Sequence, residues 1–153
     1  MTRAVPSNEV GLEALTFEEC ITLLRQGHVG RIAVEAEGGP IILPVNYRLA
    51  EAPGRTWVAL RTRHGNVIES ASMRVAFEID TIESGLREGR SVLVQGTLHR
   101  VDTEAADFAQ RFDSEPWIVA ERDAWLIIEP FAISGRRLHA ADREWAFHTS
   151  AHL

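Results

Sequence analysis

The densest group of chemically useful side chains lies at positions 61–66. Arg61, Thr62, Arg63 and His64 bring guanidinium groups, a hydroxyl and an imidazole together in a chain whose net charge is -6. We predict that a strand ends here and a short helix begins, and the free N–H groups at a helix N-terminus attract anions. Arginine also binds phosphate through two parallel hydrogen bonds. The segment is therefore a candidate phosphate site, although local sequence alone slightly favours a solvated basic turn.

A second candidate is the polar face of the strand that we predict at residues 41–49. Asn46 alternates with the apolar Val45 and Tyr47, so its side chain should point to the opposite face. Its amide offers donors and an acceptor, which suit the edge of a heterocyclic ring. Pro44 cannot donate a ladder hydrogen bond and predicts an edge or a bulge. An exposed polar strand face is the simpler alternative for Asn46 taken alone.

Composition excludes several classes of function. The 16 basic residues are all arginine, so the chain has no lysine for Schiff-base chemistry or for a P-loop. The net charge of -6 predicts that nucleic acid is not a partner. Cys20 is the one cysteine and cannot form an internal disulfide. We find no apolar run of membrane-spanning length and no signal peptide at residues 1–11, and we expect a cytoplasmic protein without a membrane partner.

The periodicity of apolar residues predicts one clear helix followed by strands. Thr16 and Glu19 have the spacing of a capping box, and Gly27 marks the end of this helix. A period of two then predicts six strands, at residues 28–35, 41–49, 56–62, 73–80, 91–101 and 125–133. Gly96 inside a strand predicts a bulge. Further helices are predicted at 64–72 and 103–112.

These elements predict a mainly β protein, with peripheral helices around a six-stranded antiparallel barrel of the Greek-key type. Tight turns favour antiparallel pairing, and closure removes exposed strand edges. We expect residues 1–14 to be a flexible leader, residues 15–137 to form the domain, and residues 138–153 to be a tail. His148 and His152 have a metal-compatible spacing in that tail, but no third ligand supports them and we predict no metal site.

Six short motifs occur in an order that resembles a known family. They are residues 30–34 (Gly-Arg-Ile-Ala-Val), 44–47 (Pro-Val-Asn-Tyr), 61–62 (Arg-Thr), 65–66 (Gly-Asn), 77–80 (Phe-Glu-Ile-Asp) and 91–96 (Ser-Val-Leu-Val-Gln-Gly). In this order they resemble the pyridoxamine 5'-phosphate oxidase-like family, the FMN-binding split barrels, and the resemblance covers about residues 15–137. The resemblance implies a split barrel, a homodimer, and FMN bound in a groove between the subunits.

The resemblance also implies which residues contact the cofactor. Val45 and Asn46 would run along the isoalloxazine ring, the segment that begins at Leu60 would hold the phosphate, and Arg136 would reach in from the other subunit. The complete implied set is Val45, Asn46, Leu60, Arg61, Thr62, Arg63, His64, Asn66, Ser91 and Arg136. Relatives often have lysine at the position of Asn66, and loss of that charge weakens the phosphate site unless Arg61 or Arg63 replaces it. Close relatives also tend to have tryptophan at the position of Arg90, before the Ser-Val-Leu-Val run.

The implied activity is a two-electron transfer between FMN and a small-molecule substrate, with NAD(P)H as a candidate electron donor. No side chain is an evident general acid or base, so we assign no catalytic residue. We see no equivalent of the residues that bind the substrate phosphate in true pyridoxamine phosphate oxidases, which argues against vitamin B6 oxidation.

Two alternatives keep the same fold. One is a reductase that uses the deazaflavin F420. The other is a non-catalytic module that binds or senses a flavin or, less favoured, haem, with His28, His64 and His99 as candidate haem ligands. Four tryptophans could stack on a flavin, but we expect them to pack in the interior: Trp57, Trp117, Trp125 and Trp145.

Overall fold

The computed structural model describes residues 12–63, 73–83, 88–101 and 123–138, together with Ile68 and Gly85. Within these ranges the chain forms one helix, α1 (Phe17–Gln26), and strands β1 (Leu12–Ala14), β2 (Val29–Ala36), β3 (Gly39–Ala52), β4 (Arg55–Arg63), β5 (Arg74–Glu83), β6 (Glu88–Arg100) and β7 (Asp123–Leu138). The predicted helix at 103–112 and the tail beyond Leu138 lie outside the described residues. Apart from Ile68, so does the predicted helix at 64–72.

The capping box predicted for α1 is confirmed. The backbone N–H of Glu19 donates to Thr16 Oγ1 at 3.3 Å, and the N–H of Thr16 donates to Glu19 Oε2 at 2.8 Å. The side chains of Cys20, Ile21 and Leu24 form the buried face of the helix. With ten residues, α1 is too short to cross a bilayer, and no other helix of the described ranges qualifies.

The strands close into an antiparallel ring. The strands have the sheet order β1-β7-β4-β3-β2-β5-β6. A further pairing between β6 and β7 closes the six strands from β2 through β7 into a barrel. β5 lies beside β2, so the first four strands of the ring have the spatial order of a Greek key. The prediction of a Greek-key antiparallel barrel is therefore confirmed.

A seventh strand corrects the predicted count of six. β1 lies in the range that the sequence assigned to the leader, and it pairs with the end of β7 through Leu12↔Leu138 and Ala14↔Arg136. It adds to the sheet outside the ring, beside the part of β7 that β4 does not reach. Residues 1–11 lie outside the described residues.

The two irregularities predicted within strands both occur. β3 pairs with β4 only from Tyr47 onward, so β3 is paired with β2 alone at Pro44. On the unpaired side of β3, the missing N–H of the proline therefore costs no hydrogen bond between strands. The register between β6 and β7 shifts at Gln95/Gly96. A Cβ atom at Gly96 would lie 2.5 Å from the carbonyl oxygen of Glu129, which explains the glycine there.

The core fills the ring and continues under α1. Ile32, Phe77 and Val92 are fully buried, and the ring of Tyr47 meets that of Phe77 edge-on at 4.9 Å between centroids. Because side chains alternate along each strand, every strand of the ring also presents an outer face. That outer face carries the polar residues from which a site can be built.

Candidate functional site

Asn46 lies on the outer face of β3. Its neighbours Val45 and Tyr47 are buried, whereas Asn46 is exposed and pairs in register with Val29 of β2. The side chain of Val29, the first residue of β2, is 61% exposed. The amide of Asn46 therefore lies beside an apolar surface, which is the environment that one face of a planar heterocycle needs.

Arg61 lies on the same outer face, on the adjoining strand. The β3–β4 ladder begins at Tyr47↔Leu60, and Asn46 and Arg61 are the next residues along their strands. Arg61 pairs in register with Trp125 of β7, and its Cζ lies 6.0 Å from the centroid of the tryptophan ring. A cation at this distance from an indole is attracted to the ring. The guanidinium therefore lies against β7, on a residue that follows the end of the β3–β4 ladder as Asn46 does.

A second cation, Arg48, lies two residues beyond Asn46 on β3. Arg48 is half-buried, and its Nη1 lies 2.7 Å from Nδ1 of His28 and donates to the carbonyl of Tyr47 at 3.1 Å. We call the outer surface formed by Val29, Asn46, Arg48, Arg61 and Trp125, with His28 at its end, the β3–β4 face. These residues provide donors, cations and apolar surface, a set that fits an anionic nucleotide with an aromatic ring.

Three of these residues were not identified from the sequence as part of the site. Arg48 follows from the two-residue period that singled out Asn46, and that signal was available. Trp125 was expected in the interior, but it lies half-buried on the outer side of β7, opposite the buried Leu126. Val29 becomes apparent only from its exposure in the folded chain.

The predicted phosphate segment divides between the two sides of the barrel wall. Leu60 and Thr62 are buried, and Thr62 is the buried polar side chain of the described ranges, 7% exposed. Strand alternation therefore directs them away from Arg61. Arg63 pairs in register with Asp123, but its side chain lies outside the described atoms, as do His64 and Asn66.

Ser91 and Arg136 form a separate pair. They are register partners on β6 and β7, with Arg136 exposed and Ser91 half-buried, and Ser91 also pairs with Asp80 of β5. Three strand spacings separate β3 from β6 around the ring, or about 14 Å along the surface. The structure therefore brings Asn46 together with Arg61, and Ser91 together with Arg136, as two sets within one chain.

An ion-pair cluster occupies the surface between the two sets. Arg31 of β2 lies 3.2 Å from both Glu78 and Asp80 of β5. The hydrogen bond to Asp80, followed by the charge of that carboxylate, raises the pKa of Arg31. Because these groups are exposed, the cluster adds little to stability.

The other residues that the sequence singled out lie away from the β3–β4 face. His99 of β6 lies 3.4 Å from Glu129, and Arg90 pairs in register with Arg137 at the far end of β6. Cys20 is buried, and burial raises the pKa of its thiol, which agrees with the core role expected from the sequence. No group of 3 or more potential metal ligands lies together in the described part of the chain.

Comparison with known proteins identifies the family to which this barrel belongs. Residues 16–137 match the sequence profile of the pyridoxamine 5'-phosphate oxidase family. An uncharacterized protein of Mycobacterium tuberculosis is 31% identical over 147 residues, which cover 92% of this chain and 95% of that protein. The FAD binding protein of Mycobacterium smegmatis is 30% identical in its solved structure, with a TM-score of 0.72, and the match covers 84% of this chain and 100% of that one.

A conserved protein of unknown function from Corynebacterium diphtheriae is 26% identical, with a TM-score of 0.73, and the match covers 84% of this chain and 98% of that one. The profile match alone extends over most of the described barrel, from the N-cap of α1 to the end of β7. The chain belongs to the pyridoxamine 5'-phosphate oxidase family.

Proposed function

We propose that the protein binds a flavin nucleotide on the β3–β4 face and transfers two electrons to or from a small-molecule substrate. The observation that carries the proposal is that Asn46 and Arg61 follow the end of the β3–β4 ladder on adjoining strands and alternate to the same outer face. The family resemblance favours FMN, whereas the Mycobacterium smegmatis relative binds FAD. Both nucleotides share the isoalloxazine ring and a phosphate, which are the two groups that this face suits.

The chain's own residues bind and orient the cofactor. The amide of Asn46 hydrogen-bonds to the polar edge of the ring, and the exposed surface of Val29 covers part of its flat face. Arg61 binds the phosphate or stabilises negative charge, and Trp125 limits how far its guanidinium moves. The bound flavin supplies the two-electron chemistry, and we assign no general acid or base.

We further propose that a second copy of the chain completes the pocket. Ser91 lies three strand spacings from Asn46 within one chain, and Arg136 is its register partner on β7, so we infer that a partner subunit brings them to the cofactor. Exposed apolar side chains on β2 and β3 support such an interface, since Val29 is 61% and Ile42 67% exposed. NAD(P)H is a candidate electron donor for this site.

Flavin titration of paired arginine variants tests the proposal. Arg61→Gln removes a charge-assisted hydrogen bond to phosphate, which is worth roughly 1.5–3 kcal/mol, and should weaken FMN or FAD binding about 10- to 100-fold. Arg55→Gln is the matched control, because Arg55 lies on the same strand and alternates to the same face but pairs with Glu129. Equal losses in both variants would contradict a specific role for Arg61.

The spectrum of the purified protein distinguishes the alternatives. Separate titrations with FMN, FAD and F420 identify the cofactor, and supply of NAD(P)H with common acceptors shows whether the bound cofactor turns over. Binding without reoxidation under those conditions would favour a non-catalytic module. If no flavin or deazaflavin binds at high micromolar concentration, the proposed function is wrong.

A further inference from the structure

His28 and Arg48 form a hydrogen-bonded pair at one end of the β3–β4 face. Nη1 of Arg48 lies 2.7 Å from Nδ1 of His28. The backbone is fixed here as well, because the N–H of Tyr47 donates to the carbonyl of His28 at 3.0 Å. The imidazole is exposed, whereas Arg48 is half-buried and has a second hydrogen bond, to the Tyr47 carbonyl. The more restrained partner of the pair is therefore the arginine.

The chemistry of the two groups decides where the imidazole carries its hydrogen. A guanidinium has only donors, so Nδ1 of His28 must accept the hydrogen bond from Arg48. A neutral imidazole that accepts at Nδ1 carries its hydrogen at Nε2. Arg48 thus selects the Nε2–H tautomer and leaves an N–H donor directed away from the pair.

The position of this donor relates it to the proposed site. Val29, the residue after His28, is the register partner of Asn46, and Arg48 lies two residues beyond Asn46 on the same strand, roughly 7 Å along it. The contact with Arg48, which shares the face of Asn46, therefore places the imidazole of His28 at the end of this line of donors. The positive charge of Arg48 next to the imidazole favours an anionic oxygen as the acceptor.

We propose that His28 is a further binding residue, whose Nε2–H donates to an anionic oxygen of a ligand on the β3–β4 face, and that Arg48 is the positioning residue that selects this tautomer. The inference rests on the proposed function for the identity of the ligand, but not for the tautomer. The acceptor is a phosphate or carboxylate oxygen, and it belongs either to the flavin nucleotide or to the substrate.

The same geometry argues against His28 as a haem ligand. Ligation of iron needs a ring nitrogen with a lone pair directed at the metal. In the pair with Arg48, the lone pair of Nδ1 accepts a hydrogen bond and Nε2 carries hydrogen. While the pair is intact, His28 therefore cannot be a haem ligand.

Long-range ¹H–¹⁵N correlation spectra of the full chain test the tautomer directly. The wild-type protein should show His28 with hydrogen on Nε2 alone, and Arg48→Met should convert it to a mixture that includes the Nδ1–H form. His99, next to Glu129, is the internal reference and should not change. A wild-type His28 with hydrogen on Nδ1, or a tautomer insensitive to Arg48→Met, would overturn the proposal.

Ligand titrations identify the acceptor. If it is the nucleotide phosphate, His28→Ala should weaken FMN binding about 10-fold and leave riboflavin binding unchanged. If it belongs to the substrate, the affinities for both flavins should stay, and inorganic phosphate titrated into flavin-loaded protein should bind about 10-fold more weakly to His28→Ala than to wild type. His28→Gln, which keeps an N–H donor, should recover much of either loss, and His99→Ala should lose neither.

These readouts separate the two proposals. If the wild-type protein binds no flavin, the proposed function fails, whereas the spectra and phosphate titration of the unloaded protein still decide the role of His28. If flavin binds but His28→Ala changes neither FMN nor phosphate affinity, the role of His28 fails and the proposed function stands.

Discussion

At the scale of single residues, the hydroxyl of Tyr47 connects the barrel to α1. It donates to the carbonyl of Leu24 at 2.8 Å, one of the last carbonyls of a helix, which have no partner within the helix. A Cβ atom at Gly27 would overlap this hydroxyl. The backbone of Gly27 does not require glycine, because its φ of -81° is open to any residue. Glycine is needed at the end of the helix because it leaves room for the ring of Tyr47.

Tyr47→Phe should lower the free energy of unfolding by about 1–2 kcal/mol, because it leaves the carbonyl of Leu24 buried without its partner. Burial also raises the pKa of Tyr47 to about 12 from its ordinary value of 10.0. The unfolded chain then loses the proton first, so this stabilisation is complete below about pH 10 and is lost as pH rises towards 12. Wild type should therefore lose more stability over this interval than Tyr47→Phe.

The composition makes this titration easy to read. The chain has one tyrosine, so tyrosinate absorbance reports Tyr47 alone. It has no lysine, so Cys20 is the other side chain whose ordinary pKa lies between those of histidine and arginine. Denaturant midpoints measured at several alkaline pH values, with Cys20→Ala as the control, test the prediction. A tyrosinate transition near pH 10 in the folded protein would contradict it.

At this scale the sequence predicts Asn46 and Arg61 as site residues, but not the residues that surround them. The alternation of Val45, Asn46 and Tyr47 is visible in the sequence and predicts which side chain points outward. The phosphate segment was treated as one continuous group, although the same alternation separates Thr62 from Arg61. Trp125 could not be placed, because its pairing with Arg61 depends on which distant strand β4 meets.

At the scale of elements, the bulge at Gly96 lets two long strands curve together. The register of β6 against β7 shifts by one residue there, and a Cβ atom at Gly96 would also lie 2.6 Å from Cγ2 of Ile128. Both neighbours belong to the paired strand and cannot move aside without disturbing the ladder. The glycine is thus required by close approach of the backbones.

Gly96→Ala should therefore destabilise the barrel by about 1–3 kcal/mol, the usual cost of extra volume in a packed site. Gly85→Ala is the matched control, since a Cβ atom there meets no heavy atom within 4 Å. Denaturant unfolding of the two variants measures the difference. Equal stabilities would mean that the strands separate at the bulge without cost.

Element boundaries follow from sequence where the local signal is strong. The capping box at Thr16 and Glu19 and the alternation of apolar residues in β2 to β7 are local signals. The helix and the six strands predicted from them all occur in the structure. β1 was not predicted because three residues are too few to show a period, and its formation depends on the free side of β7. Arg137 reinforces it by ion pairs to Glu13 and Glu19 at 3.4 and 3.1 Å.

At the scale of the whole molecule, closure of the ring is what turns a row of strands into a site. β4 and β6 both pair with β7, so strands distant in sequence become neighbours, and Arg61 meets Trp125 only for that reason. An alternating sequence predicts strands and favours a closed barrel, but which strands meet depends on the packing of the complete core. The division of the polar residues into one set on β3 and β4 and another on β6 and β7 depends on this pairing, and no local sequence pattern predicts it.

Mixing two inactive variants tests whether a partner joins those sets. In the proposed dimer, each pocket takes Arg61 from one subunit and Arg136 from the other. Arg61→Gln and Arg136→Ala should each weaken flavin binding alone. After subunit exchange, half of the dimers combine the two variants and each of these holds one intact pocket, so about a quarter of all sites should bind flavin with wild-type affinity.

The stoichiometry of tight binding in the exchanged mixture measures this recovery, with light scattering to establish the oligomeric state. Each variant exchanged with itself is the control and should recover no tight sites. If the mixture also recovers none while both variants are dimers, Arg61 and Arg136 do not meet across the interface. The cofactor would then be held within one chain, by the β3–β4 face alone.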